Sequence, residues 1–172
     1  MVEYSSDGQQ SVPRSVAVSL PQRPLAELHA ASNHLWYEYW MLRCAARAAS
    51  DDPATAHALE ESFALHLRNL HRFLYGGESR PDAITAEDFL GSRWPEIRPK
   101  LSPLLAEAFA WAEQTLAQPR HAPAGAARLP RFWTLLQASF ELQKVMDPFI
   151  SSLPRELLGE RWKVTYEGGF SV

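Results

Sequence analysis

The chain has a single cysteine, Cys44, in 172 residues. On that count no disulfide framework and no cysteine-based zinc site can be built within one chain. Cys44 lies inside a helical pattern, so a small buried thiol is expected rather than a nucleophile. Long apolar runs are missing too: none reaches the length of a signal peptide or a membrane span. A cytoplasmic protein without a membrane segment is therefore expected. Arg greatly outnumbers Lys, which reads first as bacterial coding bias. Charge of one sign is also lacking. The formal net charge of −3 gives no global pull toward nucleic acid or an anionic membrane.

The common catalytic signatures are missing as well. There is no Gly-rich phosphate loop, no GxSxG elbow and no HExxH. No ExxH pair occurs on any predicted helix, which argues against a di-iron carboxylate bundle. His34 and Glu38 stand one turn apart and invite a metal, but two ligands do not make a site. His34, His57 and His66 would meet only through packing that sequence does not show. No metal or other cofactor is expected.

What is present is a folded, helical pattern. Hydrophobic residues make up 46% and charged residues 22%, a globular balance. A chain of this length suits one domain, able to bury roughly 70% of its unfolded surface. Residues 1–23 read as a polar arm, 24–160 as a helical bundle, and 161–172 as a short strand-like tail. The expected fold is all-α: a single-domain bundle of four main helices with short extra helices.

The central helix is predicted over 53–75. Asp51 or Asp52 can cap it, Pro53 suits its first turn, and Gly76 and Gly77 supply its stop. Leu59, Phe63, Leu67, Leu70 and Leu74 form one apolar stripe at helical spacing. The first long helix is predicted over 24–50. Leu25, Leu28, Ser32, Leu35, Tyr39, Leu42, Ala46 and Ala49 form its seam. A second row on it carries His29, Trp36, Trp40, Arg43 and Arg47. These aromatics suit core or subunit interface, with a base-stacking platform as the alternative.

Further along, Thr85 and Asp88 form a variant capping box that starts a helix over 86–90. Residues 91–99 read as irregular, with Trp94 anchoring them. Ser102 caps a helix starting at Pro103 and ending near Gln118. Residues 119–130 read as a surface loop carrying His121 and Arg128. The last long helix runs from Arg131 to about Asp147, where Pro148 should kink or end it. One or two more turns are expected between Ser151 and Gly159.

The central helix carries polar residues beside its stripe. Ser62, His66 and Asn69 share three-four spacing, and His66 should be at least half buried. Glu61, Leu65, Arg68 and Arg72 make the next row. The plain reading is a core-edge histidine with satisfied hydrogen bonds and solvated charges. The functional reading is a site of Glu61, His66, Arg68 and Asn69 against a neighbouring helix, since a half-buried histidine near a carboxylate and a guanidinium has a perturbed environment.

The run ESFALHLRNLHRFLY (61–75), followed by AEDFL (86–90), resembles a set of small uncharacterised bacterial helical proteins. With Arg68-Asn69 it also resembles the HEPN superfamily, higher eukaryote and prokaryote nucleotide-binding domains. That resemblance implies a helical bundle, with a metal-free RNA-cleaving or nucleotide-binding site assembled in a dimer from an Arg, a polar residue and a His. In this chain the histidine after Arg68-Asn69 is His71, three positions from the arginine, so the resemblance speaks to fold class more than to activity.

Two functions are expected. One is a non-enzymatic binding module that self-associates as a homodimer or holds a partner, through Trp36, Trp40, Arg43 and Arg47 or through the central seam with Ser62 and Asn69. The other is a HEPN-like metal-independent ribonuclease or nucleotide-binding protein, with His66, Arg68 and His71 near an acid–base centre and Glu61 orienting one imidazole.

Overall fold

The computed structural model describes residues 23–48, 50–76, 83–117 and 131–167, the last stretch with side chains from 134 to 163. The expected arm up to residue 22, Ala49 in the seam, Gly77, the loop with His121 and Arg128, and residues 168–172 lie outside the described residues. Among those described, the chain is all-α with no strand.

Helix α1 spans Leu25–Arg47 and α2 spans Pro53–Tyr75. Two short helices follow, α3 (Ala86–Leu90) and α4 (Arg93–Ile97). Helix α5 is Pro103–Ala117 and α6 is Arg131–Ser152. A 3₁₀ turn at Arg155–Leu157 leads to α7, Glu160–Glu167. Helix α1 packs on α2 and α6, α2 packs on α5, and α5 closes against α6. The four long helices thus form a bundle, with α7 and the 3₁₀ turn laid against α1.

Local sequence accounts for the helix ends. Asp52, not Asp51, caps α2, accepting from the Thr55 N–H at 2.8 Å. At the other end Gly76 takes φ of 69°, a region open to glycine. The late carbonyl of Leu74 accepts the Trp94 indole N–H at 2.6 Å and Arg98 Nη1 at 3.2 Å. Trp94 is fully buried, as its anchoring role requires. Asp88 Oδ2 accepts the Thr85 N–H at 2.7 Å, closing the capping box of α3.

The apolar stripes meet in one core. Leu28, Leu42, Phe63, Leu67, Leu70, Leu105, Leu142 and Met146 are almost completely buried. Phe149 centres an aromatic cluster, edge-on to Trp94 at 5.2 Å, Phe73 at 5.3 Å and Phe89 at 5.9 Å.

Several expectations are corrected. Leu25, placed in the seam, is 50% exposed, and Cys44 is exposed rather than buried. Residues 93–97 are helical, not irregular. Helix α6 does not stop at Asp147 but continues through Pro148 to Ser152. An interior proline costs about 3 kcal/mol. Phe149, Ile150 and Leu153 are buried beyond it, and each such burial contributes about 1.5–3 kcal/mol, so packing wins. Residues 160–167 are helix rather than strand-like, and Trp162 is wholly buried in the main core.

Candidate functional site

The polar centre of the bundle is Glu38, on the flank of the α1 seam between Leu35 and Tyr39. Its side chain is 8% exposed. From α2, His66 Nδ1 lies 2.7 Å from Glu38 Oε2 and Asn69 Nδ2 donates to the same oxygen at 3.1 Å. On α1 itself, His34 Nε2 sits 3.1 Å from Oε1. A carboxylate only accepts, so His66 presents its Nδ1–H to Glu38.

These partners decide the charge state of Glu38. Burial alone pushes its carboxyl up. The hydrogen bonds from His66 and Asn69, with the positive charge available on His66 and His34, outweigh that and hold it below the usual glutamate value. Tyr37 closes one side of the imidazole, edge-on to His66 at 5.8 Å. His66 is therefore a core-edge group, 7% exposed at its side chain, while His34 is 70% exposed.

Glu38 also stands in the wall of a cleft of about 690 Å³ between α1, α2 and the segment leading into α3. Its apolar lining includes Ala31, Leu35, Leu70, Phe73 and Ile84. His34, Glu38, Asn69, Arg72, Glu27 and Thr85 supply its polar groups. The volume lies in the range of pockets that hold small organic ligands, about 300–1,000 Å³.

The residues singled out from sequence divide into two groups. His66 and Asn69 come together as expected, and Ser62 is half-buried on the same row. Glu61 does not join them: it pairs with His57 at 3.3 Å. Arg68 is also apart. It is half-buried, with Nε enclosed and without a hydrogen-bond partner among the described residues. Residues two apart on a helix point about 200° from one another, which separates Arg68 from His66. His71 faces α5, stacked on Phe109 at 3.9 Å. Burial lowers its pKa, and neighbouring Glu113 only partly opposes this. Arg72 makes a two-pronged pair with Glu113, both contacts at 3.2 Å.

The second row of α1 lies toward the C-terminal segment. Trp36 and Trp40 stack at 5.4 Å, and the Arg161 guanidinium lies 5.3 Å from the Trp36 ring. Arg43 sits over Tyr39 at 5.5 Å, and Arg47 is exposed. Tyr39 Oη is buried, and burial pushes its pKa up to about 12.

Sequence reasoning missed Glu38 as the centre. The signal was a carboxylate on the flank of the seam, three residues after Leu35 and beside Tyr39. Among the described residues, no three His, Cys, Asp or Glu side chains are grouped to hold a metal ion. No described helix is long and apolar enough to cross a membrane. Comparison with protein-family models, curated proteins and solved structures finds no match.

Proposed function

We propose that this chain is a non-enzymatic binding module whose recognition surface is the cleft between α1, α2 and the start of α3. The observation that carries this reading is the buried Glu38 carboxylate, held by His66 and Asn69 in the wall of an apolar-floored cleft. Convergent polar groups on an apolar cavity are the usual form of a ligand site. His66 is nearly closed off from solvent, so it acts through Glu38 rather than as a general base that touches a substrate. Screening small organic fragments by amide chemical shifts tests this. Hits should cluster on Ala31, Leu35, Asn69 and Phe73, and Ala31→Trp should abolish them. Hits scattered over the surface and unaffected by Ala31→Trp would overturn the proposal. Self-association belongs to the same reading, with the exposed Tyr37 and Leu65 as apolar contacts. Light scattering of the intact protein would register a dimer.

A HEPN-like ribonuclease is the second reading. It is favoured by Arg68 and His71 sharing one side of α2, with the Arg68 Nε lacking a hydrogen-bond partner among the described residues. RNA cleavage in EDTA that His71→Ala abolishes would establish it. No cleavage by the wild type would remove it.

A further inference from the structure

Resting on the cleft reading, we infer that the ligand is a small amphipathic cation, an apolar body carrying an ammonium or amidinium group that is received by Glu38 Oε1. The two carboxylate oxygens are unequally occupied. Oε2 takes both α2 donors, His66 and Asn69. Among the described residues Oε1 meets only His34, whose side chain is mostly in solvent. Each carboxylate oxygen offers two acceptor positions. Oε1 therefore has room for a donor arriving from the cleft, with His34 either moving aside or remaining on the second position.

The other charges in the lining favour a cation. Arg72 is the permanently charged cationic side chain of the cleft wall, and its Nε and Nη2 are held by Glu113. Arg23, bonded to the carbonyl of the lining residue Ala83 at 3.1 Å, is also held by Asp88 at 2.9 Å. The acidic groups are Glu38 and Glu27, and Glu27 is only loosely paired with Arg23 at 3.8 Å. An anionic ligand would meet two carboxylates and find both guanidiniums already engaged. A cation would meet a carboxylate that its surroundings keep ionised, and its apolar body would cover the side chains of Leu35, Leu70, Phe73 and Ile84.

Three probes of matched shape separate these possibilities: 2-phenylethylammonium, 2-phenylethanol and 3-phenylpropionate, titrated into the intact protein and followed by amide chemical shifts. The ammonium should move the amides of Ala31, His34, Leu35, Asn69 and Phe73. It should bind about tenfold tighter than the alcohol, the difference between a charge-assisted and a neutral hydrogen bond. The propionate should bind more weakly than the alcohol. Glu38→Gln should bring the ammonium down to the affinity of the alcohol. If Glu38→Gln does not fold, the order of the three probes on wild type still decides. Alcohol or propionate binding at these residues as tightly as the ammonium would overturn the cation assignment and leave the cleft reading intact. Silence of these amides toward all three probes would overturn both.

Discussion

The indole N–H of Trp162 donates to the backbone carbonyl of Ser32 at 2.7 Å, joining α7 to the first half of α1. The ring is fully buried and lies 6.4 Å from Tyr39 in a stacked arrangement. Truncating a buried tryptophan to alanine costs about 3–5 kcal/mol. Trp162→Ala should therefore lower the urea midpoint severely, whereas Trp162→Phe, which keeps most of the apolar area, should lose only about 1 kcal/mol with the hydrogen bond. Equal small losses in both variants would show that α7 is not part of the cooperative unit.

The Glu38–His66 pair should behave as a coupled unit. Each side chain is nearly enclosed, at 8% and 7% exposure. Removing one partner of a buried pair leaves an unsatisfied polar group and costs about 3–5 kcal/mol. Removing both with apolar groups of similar size costs less than the two single losses together, by about 0.5–3 kcal/mol. Equilibrium unfolding of Glu38→Leu, His66→Leu and the double variant measures this directly. Strict additivity would mean that the 2.7 Å contact contributes nothing to stability.

Acid should unfold the protein in two stages. Burial holds His71 below its ordinary value of 6.5, with Glu113 opposing and Arg72 adding to the effect. The folded state then binds fewer protons than the unfolded chain. The contribution of His71 is complete above about pH 6.5 and is lost as pH falls through its folded value. Glu38 is likewise held below its ordinary 4.5, so its contribution is complete above that value and is lost as pH drops through its lower folded one. Asp88, also lowered, joins this second stage. Unfolding free energies measured from pH 7.5 to 3.5 should fall first below about 6.5. In His71→Phe, which preserves the stack on Phe109, this first limb should flatten. An unchanged slope there would assign the acid sensitivity to another group.

The two long N-terminal helices could be read from sequence because their signals are local. Asp52, Pro53 and Gly76 mark the ends of α2, and Phe63, Leu67, Leu70 and Leu74 mark its buried side. The burial of His66 followed from the same spacing. Its partner did not, because the register of α1 against α2 is set by side-chain packing and not by either helix alone. Placing Glu61 and Arg68 with His66 also ignored helix geometry: five and two residues away put them about 140° and 200° round the axis, toward the opposite side. His66 and Asn69, three apart, do share a face, and these are the two that meet on Glu38. Helix α7 was hidden for a different reason. Eight residues carry too little periodicity to tell helix from strand, and the burial of Trp162 depends on where α1 lies. The helix through Pro148 was missed because propensity was judged without the burial of Phe149 that follows it.

Gly159 should not tolerate a side chain. Its N–H donates to Ser32 Oγ at 3.1 Å, and a Cβ built on it would lie 2.4 Å from Asn33 Oδ1. The obstruction is a side chain, so it can move, but not without loss. Asn33 Oδ1 accepts the N–H of Arg161 at 3.3 Å, in the first turn of α7. Turning Asn33 away frees the space and breaks that hydrogen bond, while leaving it in place forces the start of α7 outward from α1. Overpacking of this kind costs about 1–3 kcal/mol. Gly159→Ala should therefore destabilise the protein by that amount, and Asn33→Ala alone by about 1 kcal/mol through the lost cap. The double variant removes the collision, so it should be no less stable than Gly159→Ala and well above the sum of the two single losses. If Gly159→Ala melts like wild type, Asn33 rearranges freely and the junction of α1 with α7 is looser than this spacing implies.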